Sequence, residues 1–349
     1  MDRIWYATRE QVMEATDTAN TARSRRKIDR AIASASRAID LATGRRFYPM
    51  LDTRKFDWPA LGLPPTSPDW MLLLDEDEAI SISAVASGGI DLTTDQWIAY
   101  PPNAPSRGMP YTNVQINFAN TGAFSVGDTS QNSIEVTGVF GYPGTDELCT
   151  TVVADSSSTV DVAGAGLVGV GSILLVGDER LVVTGRSQLA VGVTLGADLD
   201  NKPASTLVQL SGEADIDEDE VILVDGEKML VTDVVEDTLV VKRAWDGTAT
   251  AAHASDAALY APRRLQVQRG ALGTAQATHA PTAPVAVWQV AEFVNEWCVA
   301  EALVNLGQQK AGYAAIAGSG ENAREARGFA VTDVRTRALA AYQRMERVG

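Results

Sequence analysis

Cysteine and histidine are the scarcest side chains here, at two residues each in 349. Cys149 and Cys298 stand far apart and form no metal-type cluster. They read as two thiols of a reducing compartment, with a single disulfide left open. Positive charge is short as well. The chain has 29 Lys and Arg against 45 Asp and Glu, a net charge of −16. That balance excludes a protein that grips nucleic acid over its whole surface, because phosphate binding needs a basic footprint. It suits a soluble protein, or the wall of a passage along which DNA slides without sticking. Long apolar runs are absent too. The best candidate, LVGVGSILLV at 167–176, is too short to span a bilayer. The opening MDRIWYATREQ lacks the apolar stretch of a signal peptide. Synthesis and folding in the cytosol are expected.

What is present favours ordinary globular cores: 45% hydrophobic and 21% charged residues, in a length with room for roughly two or three domains. Three textures follow one another. Residues 1–50 look helical. Thr8 and Gln11 are spaced as a capping box. Ile28, Ile32, Ala35, Ile39 and Ala42 make one helical stripe, with Arg23, Arg26, Arg30 and Arg37 on the opposite side. Those arginines read as a solvated face or as a docking face for an acidic partner, and Gly44 fits the residue that stops the helix. Residues 51–148 read as strands broken by Pro and Gly turns.

The stretch 150–282 is rich in Val, Gly, Asp and Ala without helical periodicity, and holds 19 acids against nine bases. From 283 the chain reads as helical again. Pro284 suits the first turn of an apolar helix over 285–306, and Thr332 suits the N-cap of a last, Arg-rich helix.

Both histidines fall in matching phrases. VKRAWDGTATAAHA (241–254) aligns with VQRGALGTAQATHA (267–280), so that Arg243 matches Arg269 and His253 matches His279. Upstream, ILLVGDERLVVT (173–184) aligns with VILVDGEKMLVT (221–232). The first pair is offset by 26 residues and the second by 48. The order is first half, first half, second half, second half, which nesting explains. An inner β unit near 213–262 sits inside an outer one made of 160–212 and 263–282, with VGDE and VDGE as hairpin turns. The histidines then read as repeated turn or packing residues. No Cys or acid stands at zinc-ligand spacing beside them. A Ser–His–Asp or Cys–His arrangement stays open on sequence, although a duplicated His on duplicated scaffolding is poor evidence for one active site.

Two further phrases invite chemistry and give little. GAGLVG (164–169) has dinucleotide-loop spacing, but a strand pattern follows it where a helix is required. DIDEDE (215–220) begins like a calcium loop yet carries Glu220 where such loops need glycine. No catalytic residue, cofactor or metal is nominated, and no enzyme is expected.

Three segments carry a family resemblance. IASASRAIDLATGRRFYP (32–49) resembles the first long helix and exit loop of head-to-tail adaptor (head-tail connector) proteins of tailed bacteriophages, through Thr43, Gly44, Arg45, Phe47, Tyr48 and Pro49. IEVTGVFGYP (134–143) resembles the strand and turn that follow, with Gly138, Gly141 and Tyr142. APVAVWQVAEFVNEW (283–297) resembles the family's next helix. The resemblance implies an α+β fold: a helical adaptor core from 1–148 and 283–349 with a small β-sheet region, and an all-β domain inserted at 150–282. It implies a structural virion protein of the neck, made in the host cytoplasm. Such a protein forms a ring, commonly dodecameric, and docks under the portal. It extends the DNA channel without binding DNA specifically, and offers a surface to a stopper or tail-completion protein, with no membrane involved. Arg335, Arg337, Arg344 and Arg347 would dock on the portal, and Arg45 joins the arginines open to partners. The alternative is a virion or surface β protein that binds carbohydrate or another capsid or tail protein. It would need an exposed aromatic platform, and Trp245 and Tyr260 are the only large aromatics of the block.

Overall fold

Strands dominate this chain. The computed structural model describes residues 4–16, 22–59, 68–310, 316–317, 324–325 and 329–344. It is 38% strand and 22% helix, with four α-helices and a closed six-stranded barrel. The expected helical adaptor core is therefore incorrect. Two physical reasons are visible. Residues 50–140 build two sheets around an apolar core of their own, including Leu74, Val114, Ile134 and Phe140. And the apolar run at 284 is a strand: Val285 and Val287 point inward while Pro284 faces out, so Pro284 opens no helix.

Helix α1 (Arg9–Thr16) carries the capping box, with the Thr8 N–H donating to Gln11 Oε1 at 2.9 Å and the Gln11 N–H to Thr8 Oγ1 at 3.2 Å. Helix α2 (Ala22–Thr43) buries Ile28, Ile32, Ala35 and Ile39. Gly44 ends it at φ +66°, donating to the Asp40 carbonyl, the left-handed stop that glycine provides.

The first sheet runs β1 (Met50–Phe56), β7 (Ile134–Phe140), β3 (Ala79–Ser87), β4 (Ile90–Leu92), all antiparallel. The second runs β2 (Met71–Leu73), β6 (Asn113–Ile116), β5 (Trp97–Tyr100).

The barrel comes next. Its strands are β8 (Thr145–Asp155), β9 (Thr159–Val162), β10 (Ile173–Val176), β11 (Glu179–Thr194), β16 (Ala258–Gln268) and β17 (Pro284–Gln289), and pairing of β11 with β16 closes the ring. Its core holds Val160, Leu174, Leu181, Leu265 and Val285. From β16 the sheet continues through β13 (Val221–Val224), β14 (Glu227–Val235), β15 (Thr238–Lys242) and β12 (Leu207–Gln209). That strip curls back to the far end of β11. There Leu195 bridges Leu210, and the Gly196 N–H donates to the Gln209 carbonyl at 2.8 Å.

A second ring results, with Leu195, Ile222, Met229, Leu239 and Leu259 inside. The two rings share β11 and β16, one half of each strand serving each ring. In chain order the outer ring uses β8, β9, β10, β11, β16, β17, and the inner ring uses β11, β12, β13, β14, β15, β16. The outer ring reaches from Thr145 to Gln289, wider than 150–282, and the inner ring begins within β11, upstream of 213.

Helices α3 (Glu292–Lys310) and α4 (Phe329–Tyr342) complete the helical layer, where Val294, Trp297, Cys298, Ala302 and Ala338 pack on α2. The last helix starts at Phe329, so Thr332 lies inside it and is no N-cap; its carbonyl accepts the Thr336 hydroxyl at 2.7 Å.

Candidate interaction sites

The repeated histidines belong to two buried clasps. Glu179 and Glu227 each open a strand immediately after a two-residue hairpin turn, and both side chains are 0% exposed. Glu179 accepts from Arg269 Nε at 3.0 Å and Nη2 at 2.8 Å, and from the N–H groups of Gly270 and Ala277; His279 Nε2 lies 2.9 Å away. Glu227 accepts from Arg243 Nε at 2.9 Å and Nη2 at 2.6 Å, and from Ala244 and Ala251; His253 Nε2 again lies 2.9 Å away. The turn after each arginine is the same. Gly270 and Ala244 take φ near +55°, and Gly273 and Gly247 lie near +80°. The Thr274 and Thr248 hydroxyls close it on the carbonyls of Ala271 and Trp245.

The two clasps correspond in their glutamate, arginine, histidine and backbone donors, and each pins the Arg–His phrase of one ring to that ring's hairpin; they differ in that Arg269 also pairs Asp155, whereas Arg243 meets the Asp200 carbonyl and His253 Nδ1 meets Asp225. Every acceptor position is saturated by donors, which suits a closure better than a reacting group. Burial pushes both carboxyls up, and the Arg, His and backbone donors outweigh it, leaving each at about 2.

A carboxyl held low in the folded state lends stability above its unfolded value of about 4.3 and loses it as pH falls toward the folded value. Thermal melts followed by circular dichroism should therefore fall steeply between about pH 4.5 and pH 2.5. Glu227→Gln should flatten that slope; an unchanged slope would remove this clasp from the acid response.

The acidic and glycine-rich phrases resolve locally. Glu220 turns inward onto Arg263, with Nε at 2.8 Å and Nη2 at 2.6 Å, so DIDEDE is a turn around a buried ion pair. GAGLVG joins β9 to β10 without a helix. Its end packs under the N-terminal arm: Glu10 accepts from the Val170 N–H at 2.7 Å, and a Cβ at Gly171 would lie 2.5 Å from the Trp5 ring. Among the described residues no group of three or more His, Cys, Asp and Glu is placed to hold a metal ion, and no helix is long and apolar enough to cross a membrane.

The arginines divide. Arg26 and Arg30 are exposed on α2 beside Arg25 and Lys27, and none of the four makes an ion pair among the described residues. Arg37 binds Asp40 at 3.0 Å and the Ile4 carbonyl. Arg45 faces inward, bridged to Glu78 at 3.0 Å and over the Tyr142 ring. Arg335 lies over Trp297, and Arg337 over Phe293 and beside Asp333. The Arg344 N–H reaches the Thr43 carbonyl. The side chain of Arg23 and all of Arg347 lie outside the described residues.

Phe47 gathers the family-like motifs. Its ring meets Tyr6 at 5.7 Å, Tyr342 at 5.7 Å and Tyr142 at 5.3 Å. Its N–H donates to Tyr6 Oη, and its carbonyl accepts from Trp288 Nε1 at 3.1 Å. Tyr48 and Pro49 are buried beside it. Gly141, at φ +131°, lets β7 pass the Tyr48 carbonyl, where a Cβ would stand 2.3 Å away; at Gly138 a Cβ would stand 2.2 Å from the Ser81 carbonyl.

A cleft of about 990 Å³ separates the N-terminal arm from the inner ring, with Trp5, Glu10, Arg25, Arg186, Lys228 and Trp245 on its walls. Neither histidine lines it. Sequence reasoning missed Glu179, Glu227 and this cleft. The glutamates were within reach, since they hold the same position in the 48-residue alignment. Comparison with family models, curated proteins and solved structures gives no match for the chain.

Proposed function

We propose that the chain is a structural protein of a tailed-phage neck. It is a head-to-tail adaptor that assembles as a ring beneath the portal, extends the DNA channel, and presents a surface to the next neck or tail component. One observation carries this reading. The three segments that resemble the adaptor family, far apart in sequence, meet around Phe47: the helix exit at Gly44–Tyr48, the turn at Gly141–Tyr142, and Trp288 of the third segment. The reading rests on those residues and on their shared packing, not on a helical fold class. The charge distribution agrees with it. A net −16 disfavours capture of passing DNA, while the exposed cations of α2 offer a local face to an acidic protein partner. The double barrel would project outward or pack around the neck.

Negative-stain imaging of the purified protein, alone and mixed with portal, tests the assignment. Rings that cap the portal are expected. A chain that stays monomeric and joins neither portal nor neck component would end the adaptor reading.

A further inference from the structure

The cleft beside the N-terminal arm holds an acceptor that the fold leaves unused. Gln188 sits in β11 where the pairing with β16 shifts register between Ser187 and Leu189, and its side chain lines the cleft. Its Oε1 is buried and has no hydrogen-bond partner among the described residues. An unpaired buried amide oxygen is destabilising, so one kept in a native fold calls for a reason. Arg186 lines the same cleft with its guanidinium held from one side. Its Nε donates to the Pro262 carbonyl at 3.1 Å and its Nη2 to the Ala165 carbonyl at 3.0 Å. Its Nη1 stands 3.9 Å from Glu10, too far for a hydrogen bond. One wall therefore offers an acceptor and a donor group, each with capacity to spare.

The rest of the cleft narrows the chemistry of a ligand. Its volume of about 990 Å³ is that of a small-molecule site. Its charges cancel: the walls carry four Lys and Arg against four Asp and Glu, with Lys228 and Asp246 already paired. A net ionic ligand gains nothing overall from such walls. Trp245 is the half-buried aromatic of the lining, with Lys242 Nζ 4.6 Å from its ring centroid, while Trp5, Tyr6 and Trp288 are buried. We propose that the cleft is a binding site for a short neutral oligosaccharide. Sugar hydroxyls both donate and accept, which suits Gln188 Oε1 and Arg186 Nη1 together. The C–H face of a pyranose ring suits the apolar body of the Trp245 indole. Saccharide binding of this kind goes beyond the neck reading and is independent of ring assembly.

The test uses the full-length chain and saturation-transfer NMR with maltotetraose, cellotetraose and triacetylchitotriose as probes, beside adenosine monophosphate and a glutamate-rich peptide. At least one neutral saccharide should bind, and Gln188→Leu and Trp245→Ala should each weaken it roughly tenfold or more, the scale of one lost polar or aromatic contact. Gln188→Leu carries a second readout. Replacing an acceptor that nothing in the chain satisfies should leave the thermal midpoint of the free protein equal or higher. A glutamine that serves only the fold would do the reverse, lowering the melt and sparing the affinity. If no saccharide binds, if only the nucleotide or the peptide binds, or if Gln188→Leu binds like the parent, the inference fails. A lowered melt in Gln188→Leu assigns the amide to the fold and overturns it too. Should Trp245→Ala unfold the inner ring, Gln188→Leu alone decides. Portal capture by Gln188→Leu should match the parent, so failure of the saccharide site leaves the neck reading intact.

Discussion

Glu179→Ala should lower the stability of the outer ring by about 3–5 kcal/mol, the cost of breaking a buried ion pair together with the donors gathered on it. Arg269 keeps Asp155 at 2.7 Å but loses both bonds to Glu179, His279 loses its acceptor, and two backbone N–H groups are stranded with them. Hydrogen exchange in β10 and the adjoining half of β11 would accelerate, while β13 and β14 stay protected. Glu227→Ala should reverse that pattern. In the inner clasp, removing both partners, Glu227→Ala with Arg243→Met, should cost less than Glu227→Ala alone, because Arg243 has no second carboxylate partner among the described residues. A loss below about 1 kcal/mol in Glu179→Ala, the level of an exposed ion pair, would show that the ring closes without its clasp.

Phe47→Ala is expected to cost about 3–5 kcal/mol, the usual range for removing a buried aromatic ring. The side chain is 1% exposed and touches segments near residues 6, 142 and 342, so the cavity cannot collapse by moving one neighbour. Urea unfolding followed by intrinsic tryptophan fluorescence would read the loss; Trp288, whose indole donates to the Phe47 carbonyl, is one of the seven reporters. Phe47→Leu should recover about half of it, by keeping most of the buried apolar area. If Phe47→Ala unfolds like the parent, the motifs do not share a core and the structural support for the proposed function is withdrawn.

Much of the local structure was legible because local rules govern it. The capping box at Thr8 and Gln11, the stop at Gly44 and the VGDE and VDGE hairpins are each decided by a few adjacent residues. The histidine repeat was legible as a repeat. What it does was not, because Glu179 and His279 lie 100 residues apart and meet only when the ring closes. The fold class failed for a related reason. Val285, Val287 and Trp288 satisfy a helix or a strand equally well as a short apolar run. Only β8 and β10 on either side settle it. The cleft was invisible, since the surroundings of Val221 and Leu230 depend on where the N-terminal arm lies.

The shared strands also set how load would travel. At 16 residues and about 3.3 Å per residue, β11 is a beam roughly 50 Å long, paired with β16 from Val182 to Thr194 and common to both rings. The pairing runs through three register shifts, between Val183 and Gly185, Ser187 and Leu189, and Ala190 and Thr194. A pull on the inner ring is carried in shear along β11 and β16 into the outer ring, and from there through Val170 and Trp288 into the helices. Because both rings hang on the same two strands, a displacement of one is felt by the other through the β11–β16 ladder.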